Sequence, residues 1–160
     1  MGVTMQKTAI VTGAARGIGL ATTRLFLEEG RKVAMIDRDV PALMEAAAGL
    51  DNVLPVVCDV SQPDQVTAMV AEVLDKLGRI DALVNNAGVA DFGPIDETDF
   101  ERWRRVMETN LDGVFLCSQA CAAALKATKG TIVNIASISG LRASTLRVAY
   151  GTSKAGVMHL

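Results

Sequence analysis

Near its amino terminus the chain reads Thr8-Ala9-Ile10-Val11-Thr12-Gly13-Ala14-Ala15-Arg16-Gly17-Ile18-Gly19. The apolar run from Ala9 to Val11 predicts a buried strand. Residues at helical spacing follow the glycines and predict a helix, namely Ile18, Ala21, Thr22, Leu25 and Phe26. Side chains at Gly13, Gly17 and Gly19 would block a tight turn, the approach of a phosphate or the packing of the helix. Because a helix N-terminus offers free N–H donors to an anion, the pattern favours dinucleotide binding over a glycine-rich turn with no ligand.

Composition limits the classes of protein that this chain can represent. Half of its 160 residues are apolar, which is enough for a real core, so we expect residues 1–160 to form a single domain. The formal net charge of −2, without a basic stripe, argues against nucleic acid as a partner, and no apolar run is long enough to span a membrane. An odd number of cysteines with no paired spacing predicts reduced thiols and a cytoplasmic protein.

Strand and helix signals alternate along the rest of the chain. Further strands are predicted at 33–36, 53–58, 80–84 and 131–136, with helical segments between them. Pro55 places the third strand at the sheet margin, as in a 3-2-1-4 strand order. Ser61 is predicted to cap the third helix, and Thr98-Asp99-Phe100-Glu101 has the pattern of a capping box for the next one. The succession of β-α units predicts an α/β fold, a doubly wound parallel sheet of Rossmann type between two helical layers.

Asp37 follows the second strand, about twenty residues after the glycine turn. A carboxylate there can accept hydrogen bonds from the ribose hydroxyls of adenosine, and it would repel a 2′-phosphate. Arg16 and Arg38 could instead hold that phosphate. We expect NAD rather than NADP, because the repulsion by Asp37 is direct whereas both arginines can simply be solvated. The alternative for Asp37 is an ordinary surface residue at the end of a strand.

Polar groups and cysteines mark the later elements. Asn85-Asn86-Ala87-Gly88 follows the fourth strand, where small residues let the backbone approach a ligand or form an ordinary turn. Asn110 disturbs an apolar helical pattern, either as a satisfied buried amide or as a kink that holds water. Cys117 and Cys121 could suggest half of a metal site, but the single histidine, His159, is remote in sequence. We therefore expect these cysteines to pack in the core and no metal site to form.

Tyr150 and Lys154 lie four residues apart, which on a helix places their Cβ atoms on one face about 5–6 Å from each other. A free phenol is a poor base at neutral pH, but a nearby ammonium stabilises its phenolate. The pair therefore predicts a proton donor and acceptor, although the same spacing also occurs on ordinary solvated helices.

Together these segments resemble the short-chain dehydrogenase/reductase family. The resemblance runs from Thr8 to Leu160 and rests on five motifs in the family's order and separations: Thr12 to Gly19, Asn85 to Gly88, Asn110, Ser137, and Tyr150 to Lys154. It implies a Rossmann fold and an NAD(P)-dependent oxidoreductase that transfers hydride between nicotinamide and a secondary alcohol or ketone. It also implies a homodimer or homotetramer that associates through the helical region 98–129.

The resemblance assigns roles to individual residues. The pyrophosphate would be held by the glycine turn, the adenosine ribose by Asp37, and the adenine by Asp59 and Val60. The cofactor-binding set is Gly13, Arg16, Gly17, Ile18, Gly19, Asp37, Asp59, Val60, Asn86, Ala87, Gly88, Tyr150 and Lys154. Tyr150 would be the general acid/base and Lys154 would bind the nicotinamide ribose. Ser137 would hydrogen-bond the substrate carbonyl, with Ser139 as a nearby rival, and Asn110 would hold a water that relays the proton.

The resemblance extends as far as the sequence does. Leu160 lies inside the helix that carries Tyr150 and Lys154, whereas members of the family continue with two further strands and the loop that shapes the substrate pocket. We therefore expect a dehydrogenase or reductase of which this chain is the N-terminal part. The alternative is a catalytically incompetent fragment that binds nucleotide or self-associates.

Overall fold

The computed structural model describes residues 6–160, in which five β-strands alternate with seven α-helices. The strands are β1 (Thr8–Thr12), β2 (Lys32–Asp37), β3 (Val53–Val57), β4 (Ala82–Asn85) and β5 (Thr131–Asn134). The helices are α1 (Gly17–Glu28), α2 (Val40–Ala47), α3 (Pro63–Leu77), α4 (Phe100–Met107), α5 (Gly113–Thr128), α6 (Ile138–Leu141) and α7 (Val148–His159). A 3₁₀ turn covers Ile95–Glu97, and a π-helical turn, Glu108–Asp112, joins α4 to α5.

The five strands form one parallel sheet in the order β3-β2-β1-β4-β5. The predicted 3-2-1-4 order is confirmed, and β3 with its proline lies at the margin. The ends of β4 and β5 differ from the prediction by one or two residues. Parallel strands have their carboxyl ends at one edge of the sheet, so the polar segments after β1, β2, β4 and β5 come together there.

Alternate residues of the strands face two helical layers. Ile10, Ala34 and Leu83 face one side, where they share a core with residues of α3 and α5. Val11, Met35 and Val84 face the other side, where they pack with α1 and α2. This period of two is the pleat of a strand buried on both faces, and it produces the predicted three-layer Rossmann arrangement.

Two apolar residues of the pattern that predicted α1 are exposed. Ile18 is 61% exposed and Leu25 is 55% exposed, whereas Gly19 and Thr23 are buried. The physical reason is the closeness of α1 to the glycine turn, since only a residue without a side chain fits at Gly19. The hydroxyl of Thr23 is satisfied within the helix, because its Oγ1 donates to the carbonyl of Gly19 at 3.0 Å.

Two predicted helix caps are also wrong by one residue. The N-cap of α3 is Gln62, and the Ser61 hydroxyl instead donates to Asp59 Oδ1 at 2.8 Å. The N-cap of α4 is Asp99, whose Oδ1 accepts from the Arg102 N–H at 2.8 Å. In both cases the hydroxyl of the predicted residue has a partner before the helix, since Ser61 donates to Asp59 and Thr98 donates to the Pro94 carbonyl at 2.8 Å.

No helix between residues 6 and 160 combines the length and the apolar character that a membrane crossing requires.

Candidate active site

The glycine turn after β1 has the conformation that its sequence requires. Gly13 and Gly17 have φ angles of +63° and +54°, in the left-handed region that favours glycine. A Cβ atom on Gly13 would lie 2.9 Å from Asn86 Nδ2, and one on Gly19 would lie only 2.1 Å from the Gly13 carbonyl oxygen. Conformation therefore requires glycine at the first two positions, and close packing requires it at the third.

Thr12, which precedes this turn, is hydrogen-bonded to the segment after β4. Its Oγ1 accepts from the backbone N–H groups of Asn86 and Ala87, both at 3.0 Å. The Asn86 amide donates to the carbonyls of Thr12 at 2.9 Å and Gly13 at 3.2 Å. Sequence reasoning did not assign this role to Thr12, because the contact joins residues more than seventy positions apart. These hydrogen bonds join the glycine turn and the segment after β4 into one continuous surface.

A cleft of about 440 Å³ opens at the carboxyl edge of the sheet. It is lined by most of the residues predicted to bind a cofactor, namely Gly13, Arg16, Ile18, Asp37, Asp59, Val60, Asn86, Ala87 and Gly88. Other lining residues were not in the predicted set: Ile36, Arg38, Asp39, Cys58, Val89 and Thr109. Gly17, Gly19, Tyr150 and Lys154 belong to the predicted set but do not line this cleft.

The wall formed by β2 and β3 carries alternating charges. Asp37 accepts from the Ala15 N–H through Oδ2 and from the Asp39 N–H through Oδ1, each at 3.1 Å. Arg16 forms an ion pair with Asp39, and Arg38 forms one with Asp59 at 3.2 Å. The two arginines are thus ion-paired, and not merely solvated as the sequence argument assumed.

Ionisation of the two partner carboxyls is supported by their surroundings. For Asp39, the backbone N–H of Ala42 and the guanidinium of Arg16 lower the pKa of the carboxyl. For Asp59, burial acts to raise the pKa, but hydrogen bonds from Ser61 and Arg38 outweigh it and leave the pKa below its usual value. Both carboxylates therefore stay charged and engage the arginines at neutral pH.

Both the backbone and the side chains of the cleft fit a dinucleotide. The glycine turn brings the start of α1 to the cleft without Cβ atoms in the way, which suits a pyrophosphate. A carboxylate stands at the end of β2, where a ribose would lie. These features require no metal, and no group of three or more His, Cys, Asp and Glu side chains arranged to hold one occurs among residues 6–160.

Asn110 lies in the π-helical turn between α4 and α5 and is fully buried. Its Oδ1 accepts from the Val89 N–H at 2.8 Å, and its Nδ2 donates to the Val89 carbonyl at 2.9 Å and to Ser153 Oγ at 3.1 Å. Ser153 in turn donates to the Tyr150 carbonyl at 2.8 Å. Asn110 is thus a satisfied buried amide in a helix irregularity, and it joins the segment after β4 to α7.

Lys154 is nearly buried on α7, with 4% of its surface exposed. Its Nζ donates to the Ile135 carbonyl at 2.5 Å and lies 6.0 Å from the centroid of the Tyr150 ring. Burial lowers the pKa of this ammonium. A Cβ atom on Gly88 would lie 3.8 Å from Nζ and 3.3 Å from Asn110 Oδ1, so the cleft and the Tyr150–Lys154 pair meet at Gly88.

Ser137 and Ser139 both lie just after β5. Ser137 is the N-cap of α6, a short helix that sequence reasoning missed, and its Oγ accepts from the Ser139 N–H at 3.2 Å. Ser139 is buried, and its Oγ accepts from Arg147 Nη1 at 3.5 Å. Ser139 therefore already has a side-chain partner on the α7 side.

The three cysteines are unpaired and buried, and the predicted core packing of Cys117 and Cys121 is confirmed. Burial raises the pKa of both thiols to about 12. Burial and the charge of Asp59 raise the pKa of the Cys58 thiol to about 11. Cys58 also lines the nucleotide cleft, as a neutral and weakly polar wall.

The model of the short chain dehydrogenase family matches residues 7–160. Meso-2,3-butanediol dehydrogenase of Serratia marcescens is 41% identical over 156 residues, which cover 96% of this chain and 62% of that protein. The chain thus spans about three fifths of the length of this relative.

Solved structures agree with the sequence comparison. A short chain dehydrogenase/reductase from Burkholderia phymatum, in complex with NAD, superposes with a TM-score of 0.92 at 32% identity, covering 96% of this chain and 57% of that one. An alcohol dehydrogenase from the archaeon Thermococcus sibiricus, complexed with 5-hydroxy-NADP, gives 0.93 at 30% identity, covering 96% and 68%. The glycine turn, the parallel sheet and these matches together show that the chain belongs to the short chain dehydrogenase family.

Proposed function

We propose that the protein is an NAD-dependent oxidoreductase that transfers hydride between the nicotinamide and a small secondary alcohol or ketone. The observation that carries this proposal is the position of the Tyr150–Lys154 pair on α7, next to Gly88 at the end of the cleft. The nearly buried ammonium of Lys154 has no carboxylate partner among residues 6–160, so its charge is available to the neighbouring phenol and to a bound ribose.

The cofactor would lie along the cleft. In this proposal Gly13, Gly17, Ile18 and Gly19, with Arg16 beside them, hold the pyrophosphate at the start of α1. Asp37 binds the adenosine ribose, and Asp59 and Val60 border the adenine. Asn86, Ala87 and Gly88 form the opposite wall, and Lys154 binds the nicotinamide ribose. When bound, the nicotinamide supplies or accepts the hydride.

The residues of α7 and its neighbours would handle the proton. During ketone reduction the carbonyl carbon gains the hydride, the carbonyl oxygen gains a proton from the Tyr150 hydroxyl, and the C=O double bond becomes a C–OH single bond. Ser137 hydrogen-bonds the carbonyl oxygen, a role we assign to it over Ser139 because Ser139 already pairs with Arg147. Asn110 fixes Val89 and Ser153, and a lone pair left on its Oδ1 can hold the water that returns a proton to Tyr150.

We propose NAD as the preferred cofactor. Asp37 lines the cleft with a carboxylate whose oxygens can still accept ribose hydroxyls. Arg16 and Arg38, which could attract a 2′-phosphate, are engaged by Asp39 and Asp59. The related structures include one with NAD and one with an NADP derivative, so the family accommodates both cofactors and the choice rests on these side chains.

The domain organisation, the oligomeric state and the cellular compartment can also be proposed. We propose that residues 1–160 belong to one dinucleotide-binding domain and that its partner is a small alcohol or ketone. Phe100 at 75% exposure and Phe115 at 48% support association through α4 and α5 into a homodimer or homotetramer. Three unpaired cysteines support a reducing, cytoplasmic setting.

Isotope transfer tests the proposed function directly. The protein is incubated with NADH that carries deuterium at nicotinamide C4 and with a panel of small ketones, and the alcohols are analysed by mass spectrometry. We expect deuterium on the carbinol carbon of at least one product and from one face of the nicotinamide only. Binding of NADH without any transfer across the panel would contradict the proposal and favour a nucleotide-binding module.

A further inference from the structure

We propose that Arg147 is a specificity-determining residue that binds an anionic group, a carboxylate or a phosphate, on the substrate. This inference rests on the function proposed above and names the class of substrate that the same site takes. Arg147 was not among the residues that the sequence singled out.

Arg147 lies beside the proposed general acid. It is the N-cap residue of α7, three positions before Tyr150. Its guanidinium carbon is 5.9 Å from the centroid of the Tyr150 ring. A group bound by Arg147 would therefore belong to the molecule whose oxygen receives the proton of Tyr150.

The charge of Arg147 is unmatched within the described part of the chain. No carboxylate oxygen of residues 6–160 lies within 4.0 Å of its guanidinium nitrogens. The arginines of the nucleotide cleft differ, since Arg16 and Arg38 each form an ion pair. A half-buried cation without an acidic partner, next to a reacting centre, is a binding group for an anion.

The side chain of Arg147 is held in place before any ligand binds. Its guanidinium lies 5.1 Å from the centroid of the Phe92 ring, so two aromatic rings border it. The Gly93 N–H donates to the Leu146 carbonyl at 3.0 Å, which joins the segment that carries Phe92 to the start of α7. Asp91 in turn forms ion pairs with Arg102 and Arg105 on α4. Because the Arg147 side chain is already ordered, it loses less conformational entropy when an anion binds.

No acidic group borders Arg147 on the side of α7 that faces away from Tyr150. A cleft of about 410 Å³ lies there, between α6 and α7, and it has no aspartate or glutamate in its lining. Hydroxyl and guanidinium groups supply its polar surface, namely Ser139, Arg142, Ser144, Arg147 and Thr152. The substrate class that follows is a short oxo acid or hydroxy acid, or a phosphorylated ketone, rather than a neutral ketone.

Matched pairs of ketones test this inference. The pairs are 3-oxobutanoate with its methyl ester, and dihydroxyacetone phosphate with dihydroxyacetone, each reduced with NADH. We expect kcat/KM for one anion to exceed that for its neutral counterpart by about 10- to 100-fold. A charge-assisted hydrogen bond between Arg147 and the anion contributes a binding free energy that corresponds to this ratio. The pair that shows the preference tells whether carboxylate or phosphate is the natural group.

Variants separate a binding role from a structural one. Arg147→Met should lower kcat/KM for the anion by a similar factor, mainly through KM, and leave the neutral ketone within about threefold. Arg147→Lys should recover part of the loss. Arg24→Met is the matched control, because Arg24 is an exposed arginine of α1 that forms no ion pair with residues 6–160. Equal losses for anion and neutral ketone, or a wild-type preference for the neutral one, would overturn the inference.

Failure of the proposed function would look different, because then no ketone of either kind is reduced. The anion site is then decided by thermal unfolding in the presence of 3-hydroxybutanoate or its methyl ester. A rise in Tm with the acid alone, which Arg147→Met removes, supports the site. Equal shifts in wild type and variant, or none, refute it.

Discussion

At the scale of single residues, the place of Asp37 in the fold was predictable from its position in the sequence. Its distance from the glycine turn predicts a carboxylate at the end of β2, and the structure places it on the cleft wall. The hydrogen bonds that it accepts from Ala15 and Asp39 follow from how the turn folds back on β2. The roles of Thr12 and Ser153 were missed, because each depends on partners distant in sequence.

We predict that Asp37→Asn weakens NADH binding by about 10-fold and narrows the preference over NADPH. The amide loses the charge-assisted hydrogen bonds to the ribose and the repulsion of a 2′-phosphate. Dissociation constants for both cofactors, measured by fluorescence titration, check the prediction. Asp51→Asn, at an exposed turn outside the cleft, serves as control. Unchanged binding of both cofactors would place the adenosine ribose away from Asp37.

At the scale of elements, the irregularity at Asn110 was visible in the sequence as a break in an apolar helical pattern. The structure resolves it as a π-helical turn that tilts the amide toward Val89 and Ser153. Helix boundaries were less predictable, since the N-caps of α3 and α4 are the residues that follow Ser61 and Thr98. Helix α6 has only four residues and too little pattern to predict.

We predict that Asn110→Leu lowers the free energy of unfolding by roughly 2–4 kcal/mol, because the N–H and carbonyl of the half-buried Val89 lose their partner and the buried Ser153 hydroxyl loses its donor. Urea denaturation followed by circular dichroism checks this value. Gln119→Leu, an exposed amide on α5, is the matched control and should change stability by less than about 0.5 kcal/mol. Equal stability of the two variants would mean that the Asn110 hydrogen bonds contribute little.

At the scale of the whole molecule, the alternation of strands and helices and the proline in β3 were enough to predict the order of the first four strands. What could not be predicted is how the segment after β4 docks on the start of α7. That docking depends on the ion pairs of Asp91 with α4 and on the stacking of Phe92 with Arg147. Side-chain contacts of this kind leave no periodic signal in a sequence.

The burial of Cys117 and Cys121 in the core makes the reactivity of these two thiols a measure of global unfolding. Cys58, Cys117 and Cys121 have pKa values raised to between about 11 and 12, so little thiolate exists in the native state at pH 8. We predict that a disulfide reagent such as Ellman's reagent modifies Cys117 and Cys121 at the rate of unfolding, and all three thiols rapidly in denaturant. Reaction of Cys117 or Cys121 within seconds in the native protein would contradict the packing described here.

The same thiols predict a loss of stability at alkaline pH. In the unfolded chain a thiol releases its proton near pH 9, whereas the native thiols retain theirs to about pH 11 or 12. The native state therefore binds more protons in this window, and its stability falls as the pH rises through it.

The central claim is that Tyr150 transfers the proton while the cleft holds the cofactor, and Tyr150→Phe tests it most directly. The measurement is ketone reduction by stopped-flow absorbance of NADH, alongside the dissociation constant of NADH. Met158→Ala, at an exposed position of α7 that lines neither cleft, is the control. We predict that Tyr150→Phe lowers turnover by about 100- to 10,000-fold and leaves NADH binding within about threefold. Turnover close to that of the wild type would contradict the account.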